Sequence, residues 1–324
     1  MPDSSSTLDV SASLSRWLHM ALVAWNVQGL GNNDTVRALK NLNLKYQPAI
    51  IFLSETKQRK RYLERVRRKI KMSNSFYVEP EGAAGGLALW WCDDARIIIL
   101  HSNKNIIDTK ISIKGEDVWF GSFVYGPPYD DEKLSFWEML ARRRVDRDSK
   151  WCVIEDLNVV ASQDEKMGGA LIDQTSAKWY LDFLDITNLL EIPMKGGMFT
   201  WSNKRSGEDV ILEKLYRALA TVEWSALFDK AIVLVEAAIA SDHCPLVLCT
   251  DGLSRRSKRE FKFESKWITE EECYNVVKEG WVSNTQRSND KLFVGKLRRT
   301  KSRLIKWSRE KFGKNRRTEE QLIH

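Results

Sequence analysis

The sequence predicts an α/β protein built in layers, with mixed β-sheets covered by helices, and three observations carry that reading. Short apolar runs rich in β-branched and aromatic residues recur along the chain, each bounded by Gly, Pro, Asn or Asp, which is the signature of buried strands. Helix-period segments lie between some of these runs while others follow one another through a turn alone, so crossover and hairpin connections are both present. The 324 residues are 43% hydrophobic and 29% charged, enough to bury a large core. At ~150 residues per domain they fit two domains, or equally one large sandwich with a tail.

In chain order the strand runs are Leu22–Val27, Ile50–Ser54, Gly86–Trp91, Ile97–Leu100, Trp119–Tyr125, Trp151–Asp156, Ala231–Val235 and Pro245–Cys249. Helical patterns occupy Thr35–Lys45, Arg61–Ile70, Glu132–Arg143 and Ser176–Leu184, where apolar residues recur at three- and four-residue spacing. The Ser-rich residues 1–19 are expected to be disordered, 20–250 to form the layered domain, 251–262 a polar linker (DGLSRRSKRE within it), and 263–324 a basic helical segment. In that segment Phe293, Leu297, Thr300, Leu304 and Trp307 are spaced four, three, four, three, a seam on one helix face. The seam is too short for a long coiled coil, so docking on a partner helix or on the main domain is expected.

The net charge of +7 is placed unevenly. From Asp290 to His324 twelve Lys and Arg face four Asp and Glu, which leaves the rest of the chain near neutral. Nine more cations lie between Lys57 and Lys71. Such clusters favour a polyanion, nucleic acid being the commonest, or else form solvated helix faces. The five cysteines include no CxxC pair, and Cys152 and Cys249 sit in apolar runs as small core residues, so a reducing compartment is expected. The N-terminus lacks a secretory pattern and no apolar run reaches membrane-spanning length, which predicts a soluble intracellular protein.

Chemistry-bearing residues gather where strands end. Asn26 closes AWN, Glu55 follows IIFLS, Tyr125 closes FVY, Asp156 and Asn158 close WCVIEDLN, and Asp242-His243 enters the last strand. Alone, each is a turn cap, and an Asp-His dipeptide is a capped strand entry. Together they can converge on one crevice, where a histidine beside carboxylates suits acid–base work near neutral pH.

The words WNVQGLG, LSETK, VYGPP, IEDLN, MFTWSN, LEKLYRAL and SDHCPL, in that order, resemble the endonuclease/exonuclease/phosphatase superfamily, and in particular the endonuclease domain of plant LINE-type retrotransposons. The resemblance spans about 230 residues. KFESKW and IKWSREKFGK are similar to the connector that leads toward reverse transcriptase; no polymerase follows, so a fragment, retained domain or truncated element copy is expected. The resemblance implies a four-layer sandwich of two mixed sheets flanked by helices, with Glu55 and Asn26 holding Mg²⁺, or Mn²⁺ in its place. It implies that Asp156 positions or deprotonates the attacking water beside Asn158, and that Tyr125 bonds the phosphate. Asp242 would support the metal or the histidine, and His243 would stabilise charge developing on phosphorus. Thr200 and Trp201 would line the site or pack behind it. The substrate implied is DNA, in the nucleus.

Two positions depart from the family. Glu155 stands where the GDFN-like element has Gly, so a side chain crowds the site and, unless screened or turned away, repels a phosphate by ~1 kcal/mol. Tyr216 stands where the family has the Asp that pairs with the active-site histidine. A phenol accepts a hydrogen bond but brings no negative charge, and by analogy with loss of a triad's orienting Asp the rate falls by up to ~10⁴. The expected function is therefore a degenerate Mg²⁺-dependent DNA endonuclease, with weak activity or none. The alternatives are a non-catalytic nucleic-acid-binding relic and a phosphatase of the same superfamily.

Overall fold

The computed structural model describes residues 20–113, 116–145, 150–252, 263, 265–281, 296–297, 299–308 and 310–312. The expected disorder of residues 1–19 and most of the expected linker, 253–262, lie outside the described residues. The chain divides into two compact units, Met1–Arg255 and Arg256–His324.

The first unit begins with β1 (Ala21–Asn26), α1 (Asn33–Tyr46), β2 (Ile50–Ser54), α2 (Lys60–Lys69), β3 (Asn74–Val78) and β4 (Leu87–Trp91). A meander follows, β5 (Ala95–Asn103), β6 (Ile106–Ile113) and β7 (Glu116–Tyr125), then α3 (Asp130–Val145), β8 (Trp151–Asp156), β9 (Lys166–Met167) and α4 (Gln174–Thr187). The remainder is β10 (Leu190–Glu191), β11 (Met194–Lys195), β12 (Trp201–Ser202), β13 (Leu212–Glu213), β14 (Tyr216–Ala220), α5 (Val222–Leu227), β15 (Ile232–Val235) and β16 (Leu246–Cys249).

These strands form a seven-stranded sheet, β11-β15-β16-β1-β2-β4-β3, a six-stranded sheet, β10-β14-β8-β7-β6-β5, and a small β12-β13-β9 sheet. Both large sheets are mixed: β1/β2 and β7/β8 run parallel, and most other neighbours run antiparallel. The alternation of side chains along β1 shows how the layers arise. Leu22 and Ala24 point into the core shared by the two sheets, while Ala21, Val23 and Trp25 point toward α1 and α2. A third core lies between the six-stranded sheet and α3 and α4, where the Trp137 ring sits 5.5 Å from Tyr180 and 5.0 Å from Phe183. Each such aromatic pair adds ~1 kcal/mol beyond its buried area. Helices, sheet, sheet and helices therefore make four layers, with the mixed α/β architecture anticipated from the pattern.

Local signals set the helix ends. Asn32 caps α1 by accepting from the Asp34 amide at 2.9 Å, and the helix stops where Gln47 turns left-handed (φ 46°) and returns its N–H to Asn43. In α2 only Leu63 and Val66 are buried; Arg61, Arg65, Arg68 and Lys69 face outward, while Arg67 turns back to Glu64 and the Ser73 carbonyl.

Eight strands and one helix lack a counterpart among the anticipated elements: the longer β3, β6 and β14, the two-residue β9, β10, β11, β12 and β13, and α5. The segment β14, YRALA, is composed largely of helix formers, yet it pairs with β8 along its length and is wholly buried. Tertiary pairing overrides local propensity there.

In the second unit, α6 (Glu271–Trp281) and the helical residues between 296 and 312 enclose a small core of Trp267, Cys273 and Leu304. Leu304 and Thr300 of the anticipated seam are buried, Leu297 is 46% exposed, and Phe293 lies outside the described residues. Among the described residues no helix is long and apolar enough to cross a membrane.

Candidate active site

Topology brings the strand ends together. The parallel pair β1/β2 ends in register at Asn26 and Ser54, with Glu55 next; the parallel pair β7/β8 ends in register at Tyr125 and Asp156. An antiparallel neighbour enters beside each pair, β16 after His243 and β14 at Tyr216, which lies directly across from Asp156. The two sheets thus meet at one crevice, each supplying two outgoing ends and one incoming end.

Hydrogen bonds confirm the convergence. Asn26 Nδ2 donates to Asp156 Oδ2 at 3.2 Å, from one sheet to the other. Tyr125 donates its hydroxyl to Glu55 Oε1, again across the sheets. Asp156 Oδ1 accepts from the Asn158 amide at 3.0 Å, and Asn158 Nδ2 donates to the Gly126 carbonyl at 2.6 Å, pinning the loop after β8 to the loop after β7. That close approach explains the glycine in VYGPP: a Cβ on Gly126 would lie 2.5 Å from the Leu157 oxygen.

Burial controls the charges. Asp156 has no exposed surface, and desolvation raises its pKa to about 7 despite the Asn26 and Asn158 hydrogen bonds and a bond from Tyr216. Glu155 is equally buried at φ 110°, and desolvation and the neighbouring Asp156 push its pKa well up. Its Oε1 accepts from Ser54 Oγ at 3.0 Å and its Oε2 has no partner. Glu155 therefore turns into the protein rather than presenting a charge to the crevice. Burial also raises the Tyr125 hydroxyl, with the Glu55 hydrogen bond acting in the same direction.

His243 lies at the centre of a directional chain. Lys57 Nζ, only ever a donor, bonds Gln28 Oε1 at 2.8 Å, which fixes the Gln28 amide nitrogen toward His243 Nε2 at 3.3 Å. Nε2 then accepts, Nδ1 carries the proton and donates to the Tyr216 oxygen, and Tyr216 passes its own proton toward Asp156; the assignment is inferred from this network. The Tyr216 and His243 rings are nearly parallel, at 9°, with centroids 5.2 Å apart. The phenol thus orients the imidazole without bringing a charge. With nothing to favour the imidazolium strongly, desolvation lowers the His243 pKa to about 4, against weaker opposing fields from Asp242 and Glu55.

The remaining anticipated residues are placed as follows. Asp242 accepts from Trp201 Nε1 at 3.1 Å and stands 3.8 Å from His243 Nε2, while Trp201 bridges His243 through the backbone. Thr200 is behind the site, its hydroxyl oxygen accepting from the Leu215 and Tyr216 amides at 2.9 and 3.0 Å, so it positions β14. Gln28, Lys57, Ser54 and Ser241 were not singled out by sequence reasoning. Gln28 and Lys57 lie two residues beyond Asn26 and Glu55 in the same motifs, and Ser241 bonds the Asn26 carbonyl at 3.0 Å and accepts from the His243 amide at 3.2 Å.

Among the described residues no cluster of three or more His, Cys, Asp or Glu has metal-ligating geometry. The donor chemistry nevertheless suits a hard divalent cation, which takes one or two carboxylates with further oxygens from substrate. Glu55 and the Asn26 amide oxygen are such donors. A cation is already drawn to that carboxylate, the Lys57 ammonium lying 2.9 Å from Glu55 Oε2.

The model of the Endonuclease/Exonuclease/phosphatase family matches residues 23–243. Similar solved structures include a 3′-5′ exonuclease from Neisseria meningitidis, at 16% identity and TM-score 0.56, covering 71% of this chain and 98% of that one. An AP endonuclease from Archaeoglobus fulgidus has the same identity, TM-score and coverage. The endonuclease domain of TRAS1, a telomere-specific non-LTR retrotransposon, matches at 14% identity and TM-score 0.56 over 71% of this chain and 97% of that one. A search of curated proteins finds no significant match.

Proposed function

This chain belongs to the endonuclease/exonuclease/phosphatase family, and we propose that its crevice is a Mg²⁺-dependent DNA endonuclease centre of retrotransposon origin that has degenerated to weak cleavage or none. The LINE-like wording of the motifs supports the origin, and nuclear DNA is the corresponding substrate. Glu55 and Asn26 would hold the cation, Mg²⁺ or Mn²⁺, which when bound supplies neutralisation of phosphate charge. Asp156, raised to about 7, is poised to take a proton from water near neutrality, with Asn158 fixing its loop. Tyr125 and Asp242 flank the place a phosphate would occupy.

One observation carries the degenerate reading. His243 has its Nε2 3.3 Å from the Gln28 amide nitrogen and a pKa near 4, so at neutral pH it is uncharged, and with Gln28 as donor its Nε2 offers the phosphate no proton. Nicking of supercoiled plasmid with and without Mg²⁺, on the parent, His243→Ala and Tyr216→Asp, tests this. Tyr216→Asp should raise the rate by up to ~10⁴. A parent that nicks efficiently, or a Tyr216→Asp protein no faster than the parent, would overturn the reading.

The Lys57 ammonium at Glu55 favours one second reading, a non-catalytic nucleic-acid-binding relic. DNA binding that persists in EDTA, with no nick in Mg²⁺ or Mn²⁺ even after Tyr216→Asp, would select it. Release of phosphate from small esters without nicking would select a phosphatase.

A further inference from the structure

We infer that the cleft between the first turns of α2 and the loop at residues 79–86 is a docking surface for the backbone of duplex DNA, continuous with the active site at Lys57. The inference rests on the DNA-directed reading of that site. The cleft has a volume of about 480 Å³ and is lined by Lys57, Arg59, Arg61, Tyr62 and Arg65 on one side and by Gly82 on the other.

Three features fit it to a phosphate backbone. First, its charge is not neutralised from within: Glu64 takes Arg67 and Glu55 takes Lys57, but among the described residues no carboxylate lies within ion-pair distance of Arg59, Arg61 or Arg65. Second, the spacing is regular. Arg61 and Arg65 are four residues apart on one helix face, ~6 Å along its axis, close to the step between successive phosphates of a strand. The Arg65 guanidinium carbon lies over the Tyr62 ring, 5.1 Å from its centroid, a contact that limits the entropy lost on binding. Third, the opposite rim, Pro80 and Gly82, is low, and the one carboxylate hydrogen-bonded at the start of α2, Glu79, is turned to the Lys60 amide at 3.1 Å rather than to an arginine. At Gly82 (φ 64°) a side chain would meet nothing within 4 Å, so a bulky backbone can enter. No large apolar side chain is exposed among residues 57–86, which argues against a lipid surface.

Lys57 lies at the junction, lining the cleft while bonded to Glu55. A strand gripped by the three arginines would therefore lead directly to the carboxylate that would hold the cation. This grip needs no metal.

Duplex binding is measured by fluorescence anisotropy in EDTA between about 50 and 200 mM salt, comparing the parent with R59S/R61S/R65S. Each phosphate contact contributes about 0.9 to the slope of log K against log salt, so the triple variant should flatten the slope by about 2 to 3. A variant losing three cations elsewhere, R96S/R142S/K178S, should leave it within about one contact's worth of the parent. An unchanged slope in the first variant, or an equal loss in the second, overturns the surface. A parent that binds no duplex in EDTA also overturns it, while plasmid nicking by Tyr216→Asp decides the catalytic reading separately.

Discussion

Glu155→Gly should stabilise this protein although it removes a fully buried side chain. Glu155 sits at φ 110°, where any residue but glycine is strained by ~1–3 kcal/mol. Its carboxyl is buried, and Oε2 finds no partner, a further desolvation cost of ~1–3 kcal/mol. Against this, the Ser54 hydroxyl loses its acceptor at 3.0 Å, ~1 kcal/mol, and glycine adds ~1 kcal/mol of freedom to the unfolded chain. The balance is a gain of ~2 kcal/mol, or a rise in Tm of ~4–8 °C for a domain of this size. Thermal unfolding and urea titration at pH 7 would both measure it. A variant less stable than the parent would refute the reasoning, because it would mean that the Ser54 hydrogen bond and side-chain packing outweigh strain and desolvation together.

Three other outcomes are expected. His243 is neutral in the fold with a pKa of about 4, against 6.5 in the unfolded chain, so its contribution is present above pH 6.5 and is lost as pH falls toward 4, by up to ~3 kcal/mol. Asp156, raised to about 7, acts in the opposite sense and loses its contribution as pH rises through 7. The stability gap between parent and His243→Gln, measured by urea unfolding, should therefore narrow as pH falls from 7 to 4; a constant gap would show that His243 titrates normally. Arg217→Ala removes the partner of Glu165, bonded at 2.6 and 2.5 Å in a buried pair, and should cost ~3 kcal/mol in the same assay. Mg²⁺ should raise the parent's Tm through binding to the folded state, by the equivalent of ~2.7 kcal/mol at a hundredfold excess over Kd, and Glu55→Gln should abolish the shift.

Strand ends were legible because their chemistry is local. Asn26, Tyr125 and Asp156 close apolar runs whose period marks them as strands, and each does close its strand. The four layers follow from runs such as ALVAWN, apolar on both faces, interleaved with amphipathic helices. β14 was not legible, since YRALA carries helix formers and an arginine. It becomes a strand only because β8 and β10 offer ladders on both sides and Glu165 neutralises the buried Arg217 charge. Gln28 and Lys57 lie within WNVQGLG and LSETK, yet polar residues in a loop say nothing about where they point.

By itself, then, the sequence determined the layered class, the order of the candidate site residues and the presence of a phenol at 216 and a carboxyl at 155, because periodicity and residue identity are written along the chain. Tertiary structure alone decided what those two side chains meet. Tyr216 reaches His243 only because β14 pairs with β8 in the register that sets it opposite Asp156. Protonation, too, depends on burial and on neighbours distant in sequence: Asp156 meets Asn26, 130 positions away, and His243 meets Gln28, 215 away. The charge that such a group carries is a property of the space around it, which no stretch of sequence contains.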